Sequence, residues 1–155
     1  MTPFKHVLAP IDFGQPAQAA LDLALSMASS SAAKLTLFHA YAILVPIYSE
    51  AAWVPTAALE REGRQALDEA LSKTKKLYAN TDAILGCGDP AQEIVMAAMK
   101  LGVDLIVMGT HGRQGLSRVL LGSVAEKVVR LSPVPVLTVP GAADREVKRA
   151  LALPS

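Results

Sequence analysis

The sequence predicts an α/β fold, a single doubly wound domain in which helices cover both faces of a five-stranded parallel sheet. Three observations carry this. Hydrophobic residues make up 52% of the chain and aromatic residues only 5%. The core is therefore aliphatic, as in strands buried on both faces. Short apolar runs alternate with stretches of helical spacing from end to end. The length of 155 residues suits one domain.

The elements follow in order. Residues 6–9, 35–40, 83–85, 104–108 and 134–139 are apolar runs too short for core helices, and several are rich in β-branched residues. Between the first two, Leu21, Ala24, Leu25 and Ala28 recur at i, i+3, i+4, i+7. Residues 57–78 place Leu67, Ala70, Leu71 and Thr74 on one face, with Glu69 and Lys73 as an i, i+4 pair on the solvent side. Ile94, Ala97, Ala98 and Leu101 repeat the helical spacing, as do Leu121, Val124, Ala125 and Val128. The start Asp89-Pro90-Ala91-Gln92 offers an N-cap, a proline at N1 and a capping-box Gln. Ser123 with Glu126 repeats that logic, and Asp12 with Gln15 is a further candidate. The order is βαβαβαβαβ, which right-handed crossovers wind into a parallel sheet. Two stretches fit no element: residues 41–55, with Pro46, Trp53 and Pro55, and residues 110–120, with Gly112, Arg113, Gly115 and Arg118. Both are loops leaving the carboxyl ends of strands, where ligands bind in open α/β sheets. Residues 141–155 read either as a short helix over 145–153 or as a tail.

Composition excludes several functions. The formal net charge is +1 with the charges scattered, so no nucleic-acid or acidic-membrane surface is expected. Lys5 and His6 interrupt the first apolar run and Pro10 ends it, so it is not read as a signal peptide. No apolar stretch approaches the roughly 18 residues of a membrane span. Cys87 is the sole cysteine; it admits no internal disulfide, suits a cytoplasmic protein, and reads as a small buried apolar residue. His6, His39 and His111 lack metal-ligand spacing. His39 reads as a satisfied core histidine, and Trp53 and Tyr48 as a cover for the core. Gly86-Cys87-Gly88-Asp89-Pro90-Ala91 imitates a dinucleotide fingerprint but follows the third strand, with no acidic residue at the required distance. No P-loop and no Gly-x-Ser-x-Gly elbow is present.

The most specific feature is Gly109-Thr110-His111-Gly112, nine residues, then Gly122-Ser123, lying between the fourth strand and the last helix. Glycines allow a backbone to approach a ligand closely and to adopt positive φ. Amides in such turns form anion-binding nests, and a helix start adds free N–H groups with partial positive charge. The same residues also serve a turn and a helix cap without any ligand, and spacing alone does not choose between the two readings.

Gly-x2-Gly-x9-Gly-Ser resembles the nucleotide motif of ATP-binding universal stress proteins. The resemblance extends over nearly the whole chain: Val7-Leu8-Ala9-Pro10-Ile11-Asp12, Leu37-Phe38-His39-Ala40, Gly88-Asp89-Pro90-Ala91-Gln92-Glu93-Ile94, residues 104–112 and residues 133–139. It implies an adenine nucleotide alpha hydrolase-like sheet of order 3-2-1-4-5, a family domain over 1–140 and an extension over 141–155. It further implies ATP as ligand, with Mg2+ or Mn2+. Pro10, Ile11 and Asp12 then border the adenosine, with Asp12 near the ribose or a metal, and Ala40 meets adenine through its backbone. Met108 and Gly109 flank ribose and phosphates. His111, Gly112 and Arg113 approach the phosphates from one side, and Gly122, Ser123, Val124 and Ala125 from the other. Ala125 stands where the family often has Thr or Ser, and Gly115 where a polar residue is common. One phosphate hydroxyl contact is thereby missing.

The resulting expectation is a regulatory module that binds nucleotide, orders the basic loop over the triphosphate and signals to a downstream protein. Two other readings stand beside it. One is slow ATP hydrolysis or phosphotransfer, with Asp12 holding a metal and His111 near the γ-phosphate. The other is a nucleotide-independent scaffold acting through a homodimer, which the resemblance places at the edge strand Val136–Val139.

Overall fold

The computed structural model describes residues 3–42, 56–111, 121–141 and 149. Five parallel strands form one sheet in the order β3-β2-β1-β4-β5. The strands are β1 His6–Pro10, β2 Lys34–Tyr41, β3 Thr81–Cys87, β4 Leu105–Gly109 and β5 Val136–Val139. The intervening helices are α1 Gln15–Ser31, α2 Thr56–Leu77, α3 Pro90–Leu101 and α4 Ser123–Leu131.

Alternation along the strands builds two cores. Val7, Ala9, Leu35, Leu37, Leu105 and Val107 face α1 and α2, and pack with Ala20, Ala24 and Leu67. Leu8, Phe38, Ile106 and Met108 face α3 and α4, and pack with Ile94, Ala98, Ala125 and Val128. Successive residues thus serve opposite faces, as a central parallel strand requires. The chain moves outward from β1 to β2 and β3, then crosses back to β4 and β5. The order reverses between β1 and β4, leaving a crevice at their carboxyl ends.

Element ends depart from the sequence reading for identifiable reasons. β3 extends to Thr81 and Cys87 because it pairs with β2 from Leu35↔Thr81 to Tyr41↔Cys87; polar residues in this edge strand disguise its length. β5 begins at Val136, not 134, since Pro135 has no N–H to donate; its carbonyl still accepts from Ile106 N at 3.0 Å. Asp104 stands just outside β4, and its carboxylate accepts the N–H groups of Lys5 at 2.6 Å and His6 at 2.9 Å. Those two amides hold its carboxyl below the usual carboxylate range.

The helix starts correct two expectations. Asp89 caps α3 as expected, accepting from Gln92 N at 2.9 Å. The cap of α1, however, is Gly14, with no side-chain bond; Asp12 instead accepts the Gly14 N–H at 2.9 Å. The cap of α4 is Gly122, so Ser123 is the first helical residue and forms no capping box with Glu126. Glu69 and Lys73 lie on the exposed side of α2 but do not pair; the ion pairs among the described residues are Lys34–Asp82, Lys127–Asp89 and Arg130–Glu126. Cys87 is exposed rather than buried, as the last residue of the edge strand β3. Among the described residues no helix is long and apolar enough to cross a membrane.

Candidate functional site

A cavity of about 200 Å3 opens where β1, β2 and β4 end and α1, α3 and α4 begin. Strand β1 contributes Pro10, followed by Ile11 and Asp12; β2 contributes Phe38, His39 and Ala40; β4 contributes Met108 and Gly109, followed by Thr110 and His111. The first turn of α4 supplies Gly122, Ser123, Val124 and Ala125, while α3 supplies Pro90 and Ile94 and α1 supplies Ala17. Eleven of the thirteen residues expected at the site line this one cavity: all but Gly112 and Arg113, which lie outside the described residues.

The wall is apolar in depth and polar at the rim. Phe38 and Ala125 are almost fully buried and belong to the core that faces α3 and α4. The Phe38 ring occupies space that a side chain at Gly86 would claim, since a Cβ there would stand 2.7 Å from Phe38 Cζ. Gly109 and Gly122, the described glycines of the motif, work differently from the expected positive φ: the left-handed glycines among the described residues are Gly88 and Gly102. At Gly109 a Cβ would approach the Pro16 carbonyl carbon to 3.0 Å and the Ala17 nitrogen to 3.2 Å. Its missing side chain lets α1 start directly against β4. Gly122 has φ −61 and ψ 156 and donates its N–H to the Thr110 carbonyl at 2.7 Å. That bond joins the turn after β4 to the start of α4. Thr110 also donates its N–H to Val139 at 3.0 Å, and its hydroxyl meets His111 Nδ1 at 3.1 Å.

Two helix starts beside the cavity differ in charge. At α3, Asp89 occupies the amides and pairs with Lys127 of α4 at 3.1 Å. The Gln92 amide, followed by Lys127, holds the Asp89 carboxyl below the usual range. At α4 the N-cap is Gly122 and, among the described residues, no side chain caps the helix. The N–H groups of its first turn therefore present a partial positive charge at the cavity rim. This arrangement suits a ligand with an apolar or aromatic body and an anionic end. Among the described residues, no group of three or more His, Cys, Asp or Glu is placed to hold a metal ion.

The sequence reading missed Ala17, Phe38, His39, Pro90, Ile94 and Thr110 as lining residues. Thr110 lay inside the motif and was legible there. The others sit on three different segments, α1, β2 and α3, that only the crossovers bring together. His39 was read as a satisfied core residue; it is satisfied, through the Ile11 carbonyl at 2.8 Å, yet it is half-buried and lines the cavity.

The fold and the crevice define a doubly wound α/β protein with a ligand-sized cavity at the reversal of strand order. The sequence pattern of the universal stress protein family matches residues 3–140, and the chain belongs to that family. It is 34% identical over 146 residues to universal stress protein YxiE of Bacillus subtilis, covering 88% of this chain and 99% of the relative. Among solved structures, universal stress protein UspA from Lactobacillus plantarum superposes with a TM-score of 0.78 at 26% identity, over 90% of this chain and 99% of the other. A universal stress protein in complex with cAMP superposes with a TM-score of 0.68 at 26% identity, over 88% of this chain and 97% of that one.

Proposed function

We propose that this protein binds an adenine nucleotide, ATP in the first place, and acts as a nucleotide-responsive binding module. The observation that carries the reading is the start of α4, whose N-cap is a glycine with no side-chain bond, at the rim of a largely apolar cavity. Adenine fits the apolar part beside Ile11, Phe38 and the Ala40 backbone. The ribose falls between Asp12 and Met108–Gly109, and the phosphates lie against the amides of residues 122–125 with His111 opposite. The relative solved with cAMP supports an adenine nucleotide as the ligand class. One Asp12 oxygen accepts from Gly14; the second is suited to a ribose hydroxyl or to Mg2+ or Mn2+. Mg2+ is ordinarily held by one or two carboxylates together with phosphates, so a single carboxylate fits an ion that arrives with the nucleotide.

The same reading includes a homodimer. β5 is an edge strand, and Leu137 on it is exposed, as are Val129 and Leu131 at the end of α4. An apolar edge of this kind is completed by a second copy.

The test is Gly122→Val. The backbone angles at Gly122 are open to valine, so the fold survives while the new side chain fills the phosphate cradle. ATP affinity measured by calorimetry with magnesium is expected to fall more than about ten-fold, or 1.4 kcal/mol. Unchanged affinity removes the cradle from this site.

A further inference from the structure

Between β1 and α1 the chain reverses within residues 11–14, and one side chain from β2 holds that turn. We propose that His39 is a positioning residue: it fixes the turn and thereby the direction in which Asp12 is presented to the cavity. The consequence for ligand binding rests on the nucleotide reading above; the effect on the turn does not.

The turn needs an external hold. Phe13 at its apex adopts φ 65, a left-handed conformation that is costly for a residue with a Cβ and a bulky ring. Such a residue persists where its surroundings over-determine it. Locally, the Gly14 N–H bonds back to Asp12 Oδ1 at 2.9 Å. That bond closes the turn but does not anchor it to the sheet.

His39 supplies the anchor at two points. Its Nδ1 lies 2.8 Å from the Ile11 carbonyl. A carbonyl only accepts, so Nδ1 carries the hydrogen and donates. Its ring also packs on Phe13, with centroids 4.6 Å apart and planes at 53°. One imidazole thus holds the residue before Asp12 and the residue after it. The Ile11 N–H is bound in turn by the Phe38 carbonyl at 2.8 Å, so both backbone groups of Ile11 are tied to the end of β2. The ring is confined from behind as well. A Cβ at Gly63 of α2 would lie 3.4 Å from His39 Cδ2 and 3.6 Å from Nε2. The α2 backbone at Gly63 thus lies directly behind the imidazole, with room for no more than an ordinary contact.

Two substitutions separate the contributions. His39→Asn places an amide nitrogen near the position of Nδ1 and keeps the donor without the ring. His39→Phe keeps the ring without the donor. The intact chain carrying each is compared with wild type by hydrogen exchange at the Gly14 amide without nucleotide, by ATP calorimetry and by thermal melting. His39→Phe is expected to speed Gly14 exchange and weaken ATP binding, each by about ten-fold, the scale of one lost hydrogen bond. His39→Asn is expected to recover most of both while melting no higher than the Phe variant. That separation is one a purely structural role does not produce. Wild-type Gly14 exchange in His39→Phe, or an affinity that follows melting temperature instead of the donor, overturns the proposal. Failure of the wild type to bind ATP, with Gly14 still loosened in His39→Phe, sinks the nucleotide reading and leaves the positioning role standing.

Discussion

A methyl group on Gly109 would stand 3.0 to 3.2 Å from the backbone of Pro16 and Ala17. At the scale of one residue, this glycine is a packing device before it is a ligand contact. The backbone of α1 cannot yield as a flexible side chain could. Gly109→Ala is therefore expected to destabilise the fold by about 1–3 kcal/mol, the usual cost of overpacking. Urea unfolding checks this, and a wild-type midpoint would restrict the glycine to ligand contact. The pair Gly109 and Gly122 was visible in the sequence, but its division of labour was not. Spacing marks both glycines alike, whereas one makes room for a helix and the other ties two turns together.

At the scale of elements, the opposite end of the sheet sets a dependence on pH. His6 Nε2 bonds Thr36 Oγ1 at 2.8 Å across β1 and β2. Burial, followed by the nearby Lys34 charge, lowers the His6 pKa from its usual 6.5, against weaker opposing effects of the Leu101 backbone, Asp82 and Asp104. The unfolded chain therefore takes up this proton first, and stability falls as pH drops below about 6.5. Asp104 and Asp89 have lowered carboxyl pKa values. Their contribution is present above their unfolded pKa and is lost at still lower pH. Stability is thus expected to decline in two stages on acidification. His6→Gln keeps a nitrogen near Thr36 and should abolish the first stage, seen in urea midpoints at pH 7.5 and 5.5. An identical decline in the variant would assign that stage to another group. Helix starts at this scale were only partly legible. Asp89-Pro90 announces α3 through local chemistry, while α1 and α4 begin at glycines with no side-chain cap.

At the scale of the whole molecule, the edge strand β5 offers the clearest test. The carbonyls of Pro135 and Val139 accept from Ile106 and Thr110 of the neighbouring segment. By the strand's period of two, the Thr138 N–H points to the open edge. Thr138→Pro therefore removes an outward donor while sparing the pairing with β4. If two copies pair along β5, the variant should be monomeric by light scattering. A dimer that persists moves the interface elsewhere.

The order of elements and the parallel sheet were determined by the sequence alone, because alternation and helical spacing are local and are written residue by residue; most of the lining residues came from the family resemblance of its motifs. Only the tertiary structure decided that Phe38, His39, Ile94 and Ala17 share one cavity, and that Gly109 serves α1. Those contacts join segments that no local period relates. They arise where the reversal of strand order brings the carboxyl ends of strands and the starts of three helices to one place.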